Sequence, residues 1–144
     1  MGKSGQWRDG WAVLGVGPGA DPGAEPEAEP GADRGAPAER AVDVAVEVAA
    51  SYRARTRGLL GRDGIEGAML LTPAASVHTF RMRFAIDVAH LDRRLTVIAL
   101  TTMAPGRLGI PRLRARHVLE AEAGSMAAWG LRVGSTLRLR LNSR

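Results

Sequence analysis

Two carboxylates interrupt apolar stretches where a charge is expensive. Asp87 lies between Ile86 and Val88, and Glu120 lies within Val118-Leu119-Glu120-Ala121. A desolvated carboxylate must be paired, hydrogen-bonded or protonated. For Asp87 the expected partners are Arg57, Arg81 or Arg83. If their surroundings split their pKa values, Asp87 and Glu120 would act as acid and base, provided their carboxyl groups converge within about 10 Å. The plainer reading of Asp87 is a structural ion pair or a strand-end cap.

His78, Phe80 and Met82 alternate with Thr79, Arg81 and Arg83. As a strand, the first three share one face, which makes either the floor of a ligand groove or a core stripe with a histidine at its margin. Metal chemistry has little to work with. There is no Cys, and the i, i+3, i+5 spacing of Asp87, His90 and Asp92 does not put three ligands on one strand face. No nucleophile elbow is present, so nucleophilic catalysis has no support in the sequence, and neither a metal nor a cofactor is expected.

Pro105 to His117 holds Arg107, Arg112, Arg114 and Arg116 and reads as an exposed basic loop, suited to phosphates, a membrane surface or an acidic protein. Ala115 offers no ring for base stacking, and aromatics make up only 4% of the chain. Two phosphate-loop resemblances fail. Gly2-Lys3-Ser4 lacks the leading glycine and strand, and Gly15-x-Gly17-x-x-Ala20 runs into Pro18, Pro22, Pro26 and Pro30 where a helix would have to open.

The elements that would position these groups begin near residue 39. Val42, Val44, Val46 and Val48 alternate with Asp43 and Glu47, the period of a half-buried strand. Ser51 predicts a helix N-cap, with Tyr52, Thr56, Leu59 and Leu60 on one face and Gly61 as the stop. Residues 67–72, 77–83, 86–91, 95–103, 117–122 and 135–141 read as strands, and Ser125 to Leu131 as a second short helix. With Trp11 to Val16 as a possible edge strand, the count is about eight strands and one or two short helices. The expected class is mainly β (α+β), an antiparallel sandwich or barrel.

Composition supports one compact domain. The 144 residues are 45% apolar with 18 Gly and 8 Pro, a length that fits one core. The net charge is +5, yet of the 20 cations only Lys3 is Lys, so part of the basicity reads as a genome-wide arginine bias. Residues 17–38 contain five Gly, five Pro, six Ala and five acids, and read as a disordered linker between an N-terminal segment (1–16) and a β domain (39–144). No signal core, membrane span or myristoylation pattern is present, which sets a cytoplasmic expectation.

Several motifs occur in a familiar order. They are Arg57-Gly58-Leu59-Leu60-Gly61-Arg62, Gly67-Ala68-Met69-Leu70-Leu71, Phe80-x-Met82, Ile86-Asp87-Val88 with Leu91-Asp92, Val118-Leu119-Glu120 with Ala123-Gly124, and Gly130-x-x-x-Gly134. Over residues 42–140 this series resembles the domain of unknown function 192 family of bacteria and archaea. The resemblance implies a mainly antiparallel β domain with a small helix, and no activity. The chain departs from the family pattern at Arg81, at the short Arg83-Phe84 connection and at Ala85.

The leading functional expectation is a non-catalytic binding module with a small-ligand or peptide groove lined by His78, Phe80, Met82 and Trp129, with Asp87, Arg57 and Glu120 setting its polarity. The alternatives are a small hydrolase or lyase using Asp87 and Glu120, and weak nucleic-acid binding through Arg107, Arg112, Arg114 and Arg116. Phosphate contacts would give that last affinity a steep salt dependence.

Overall fold

The structure, a computed structural model, describes residues 7–16 and 42–141. The linker expected over 17–38 lies outside the described residues. The elements in chain order are β1 (Gly10–Val16), β2 (Val42–Ala49), α1 (Tyr52–Arg57), β3 (Ala68–Leu71), β4 (Ile86–Leu91), β5 (Val97–Met103), β6 (His117–Glu122), α2 (Ser125–Ala128) and β7 (Leu137–Leu141).

All seven strands form one curled sheet in the order β5-β4-β6-β3-β2-β1-β7. The class is mainly β with two short helices, as expected, with seven strands among the described residues against the anticipated count of about eight. At one end the two edge strands meet. Thr96 and Thr136 bridge, Val97 N–H donates to Ser135 C=O at 2.8 Å, and Leu137 N–H donates to Leu95 C=O at 2.9 Å. The sheet is therefore a half-barrel closed at one corner, which leaves fewer strand edges open to unwanted pairing.

The segment 77–83 is the strand that does not form. It makes a single bridge, His78 to Leu108, and Arg81 takes φ 60°, which ends extended pairing. Thr79, placed by alternation on the polar face, is fully buried instead. Its hydroxyl donates to Ala104 C=O at 2.6 Å and accepts from Arg107 N–H at 2.8 Å. β1 is also not an edge, since it pairs with both β2 and β7.

One pairing departs from the antiparallel expectation. β2 and β3 run parallel, which a tight turn cannot achieve. The crossover is residues 50–67, and α1 lies within it. Ser51 caps α1 by accepting from Ala54 N–H at 3.1 Å, and the helix stops at Gly58 (φ 44°), earlier than Gly61.

Alternation sorts the side chains onto the two faces of the sheet. The concave face buries Leu14, Val46, Leu70, Leu91, Leu119 and Leu137. The convex face of β3, β4 and β6 buries Met69, Val88 and Val118 under Leu59, Val77 and Met82 from the crossover and the 73–85 loop. The half-barrel thus has a second apolar layer on its outside, where the candidate site lies.

Candidate functional site

A row of side chains crosses the convex face in register. Glu47 on β2 pairs with Met69 on β3, Met69 with Glu120 on β6, and Glu120 with Val88 on β4. The two acids of this row fare differently. Glu47 is half-buried and held by Arg62, with Nη1 to Oε2 at 2.9 Å and Nη2 to Oε1 at 3.1 Å. Glu120 is only 5% exposed and has no ion pair or hydrogen bond to its carboxyl group among the described residues. Burial alone pushes its pKa up to about 7, because desolvation penalises the charged form.

Glu120 borders a cavity of about 90 Å³ roofed by α1 and the turn that follows it. Arg57 and Thr56 contribute from α1, Leu59 from the turn, and Val77, His78 and Met82 from the 73–85 loop. Arg55 borders it too. Its Nη1 donates to Pro73 C=O at 3.0 Å while its buried Nε–H has no partner. An unpaired acceptor and an unpaired donor therefore border one small space. A group that enters it gains a hydrogen-bond acceptor in Glu120 beside the side chains of Leu59, Val77 and Met82. Arg57 also lines a wider cleft of about 410 Å³ on the other side of α1, together with Asp9, Glu47, Arg53 and Arg62.

Four of the candidate ligand residues, Arg57, His78, Met82 and Glu120, thus border one cavity. Phe80 stands beside it, exposed and stacked on His78 with ring centroids 5.3 Å apart. Asp87 and Trp129 are elsewhere. Asp87 pairs in register with Ala121, one residue on from Glu120, so its side chain points to the concave face. There it accepts from Thr102 Oγ1 at 2.7 Å, Gly124 N–H at 2.9 Å and Met126 N–H at 3.1 Å.

This arrangement corrects the expected arginine partners of Asp87. The carboxylate caps α2, whose own N-cap residue is Gly124 and has no side chain to do so, and Arg83 pairs instead with Asp63 at 3.1 Å. Trp129 packs against the concave core beside α2. Asp87 and Glu120 consequently face opposite sides of the sheet and share no cleft. Arg107, Arg112, Arg114 and Arg116 are exposed on the β5–β6 connection.

Sequence reasoning missed Arg55, Thr56, Leu59 and Val77 as lining residues. The apolar face of α1 was the available signal, but only the crossover laid it over β6. The sequence marks His90 only as a possible metal ligand. It is buried with neither ring nitrogen partnered, and burial, then the Arg112 charge, lowers its pKa. Among the described residues no cluster of three or more His, Cys, Asp or Glu is placed to hold a metal ion, and no helix is long and apolar enough to cross a membrane.

A single curled β sheet with a small cavity under a crossover helix defines the class. The DUF192 family profile, described as "Uncharacterized ACR", matches residues 36–139, and the chain belongs to this family. A UPF0127 protein of Pyrococcus horikoshii is 44% identical over 50 residues, covering 35% of this chain and 44% of that protein. A UPF0127 protein of Pyrococcus furiosus is 38% identical over 63 residues, covering 44% of this chain and 54% of that protein. The alignments thus span about half the length of these curated relatives.

Two solved structures share the fold. One, from Sinorhizobium meliloti 1021 and provisionally described as a transcription regulator, superposes with a TM-score of 0.68 at 17% identity, covering 94% of this chain and 98% of its own. The other, a protein of unknown function from Novosphingobium aromaticivorans, gives 0.59 at 19% identity, covering 67% and 76%. At these identities the likeness establishes the fold alone.

Proposed function

We propose that this protein is a non-catalytic binding module that takes a small polar group, carried by a small molecule or a peptide, into the cavity beside Glu120. The observation that carries the reading is a glutamate only 5% exposed, bordering a cavity and with its carboxyl group unpaired among the described residues, while Glu47 in the same row is neutralised by Arg62. Leaving a mostly desolvated acceptor unpaired costs up to about 1–3 kcal/mol, and a ligand that donates to it recovers part of that cost. At about 90 Å³ the space is well below a drug-sized pocket, so it fits one functional group and not a whole cofactor. His78, stacked under Phe80 at the mouth, and Arg57 supply polar contacts to the rest of the ligand. With Asp87 engaged at α2 on the opposite face, the reading needs no second carboxylate.

The test is a nuclear magnetic resonance titration of the protein with small probes that donate hydrogen bonds, such as acetamide and methylammonium. Shift changes are expected to concentrate at Leu59, Val77 and Met82 and to vanish in Glu120→Leu. Changes scattered over the surface, or unaltered in that variant, would reject the reading.

A further inference from the structure

We propose that the β5–β6 connection, residues 104–116, docks this protein onto an anionic lipid surface. Leu108 is 73% exposed, Ile110 71% and Leu113 100%. Single exposed leucines are ordinary, but three large aliphatic side chains within six residues form a patch that a globular surface seldom leaves bare. Arg107, Arg112, Arg114 and Arg116 are interleaved with them and exposed, and residues 104–116 contain no Asp or Glu.

The segment is fixed in place. Arg107 C=O accepts from Thr79 N–H at 2.7 Å, Gly109 N–H donates to Val77 C=O at 2.7 Å, Arg112 N–H to Ala75 C=O at 3.0 Å, and Arg116 N–H to Leu91 C=O at 2.7 Å. Gly109 permits this close approach, since a Cβ there would stand 2.7 Å from the Val77 carbonyl oxygen. A surface held this way pays little ordering entropy on docking.

Beside it, Arg93 and Arg94 of the β4–β5 turn join Arg114, Arg116 and Leu113 around an open cleft of about 430 Å³. The acid in this cleft, Asp92, is occupied with the backbone N–H groups of Arg94 at 2.8 Å and Thr96 at 3.0 Å. Arginines around a space of headgroup size, with bare aliphatic tips next to them, match the two layers of a lipid interface: phosphate outside, acyl chain just beneath. A nucleic acid would use the arginines but give the aliphatic tips nothing to bury against, and no aromatic side chain lies in 104–116 to stack on a base.

The experiment is co-sedimentation of the full chain with vesicles of phosphatidylcholine alone and of phosphatidylcholine mixed with phosphatidylglycerol, with single-stranded RNA as competitor. Binding is expected on the mixed vesicles, at least about tenfold tighter than on phosphatidylcholine, and weakening with salt. The double variant Ile110→Ser, Leu113→Ser should lose about tenfold or more. Arg112→Ser with Arg114→Ser should lose about twenty-fivefold, at about fivefold per arginine near an anionic surface. These side chains are exposed, so circular dichroism of both variants should match the parent, and Leu113→Ser alone serves if a double variant does not fold. Absence of binding to the mixed vesicles overturns the proposal. So does vesicle binding indifferent to Ile110 and Leu113, or RNA binding tighter than vesicle binding, which would make the loop a phosphate contact for nucleic acid.

Discussion

Glu120 ties stability to pH. Its carboxyl group titrates near 4.5 when solvated and at about 7 in the folded chain, so between those values the native state holds a proton that the unfolded state has lost. Stability therefore falls as pH rises through this window, by on the order of 3 kcal/mol in total. Glu120→Gln cannot ionise, so the pH dependence it keeps is that of other groups, the buried histidines His90 and His117 among them. Relative to that variant, the parent should lose stability between pH 5 and pH 8 in denaturant unfolding. Equal pH responses of the two chains would mean that Glu120 is already charged in the fold. His90 acts in the opposite sense. Its lowered pKa means that the unfolded state takes up a proton as pH falls through the imidazole range, so its contribution is lost on the acid side.

At the level of elements, the short helix α2 depends on a side chain from another strand. Asp87 supplies the acceptor that Gly124 lacks, for the N–H groups of Gly124 and Met126. Asp87→Ala would leave both donors and Thr102 Oγ1 without this partner, and a loss of about 2–4 kcal/mol is expected by denaturant unfolding. A loss below about 0.5 kcal/mol would show that water replaces the carboxylate at no cost.

The crossover that brings α1 over β6 is equally exacting at one point. Gly67 sits at φ 73° with the Ala45 carbonyl pressed against the place a Cβ would occupy. Gly67→Ala should therefore destabilise by about 2 kcal/mol or more, since β2 and β3 must separate locally to admit the methyl group. Retention of parental thermal stability would contradict that close approach. These dependencies were only partly legible in the sequence. The alternation in β2 was plain, because that strand buries one face, whereas β4 and β6 read as continuous apolar runs interrupted by an acid, because they are buried on both faces. The stretch 77–83 alternates just as well yet is a loop, since alternation records burial and says nothing about whether a neighbouring strand is free to pair.

For the whole molecule, the consequence of the fold is a division of labour between the faces of one sheet. The concave side carries the larger core and the α2 cap, while the convex side carries a thinner apolar layer in which Glu120 meets a cavity. The chemistry-bearing residues Arg57, His78, Met82 and Glu120 come from three separate stretches of chain and meet only because β2 and β3 run parallel across an intervening helix.

Local sequence determined the strand-rich class, most strand positions, the cap at Ser51 and the presence of two buried acids, since all of these follow from side-chain patterning and backbone preference within a few residues. Tertiary structure alone decided which acid is satisfied. A shift of one register position between β4 and β6 sends Asp87 to one face and Glu120 to the other, and pairing register is a property of two strands together.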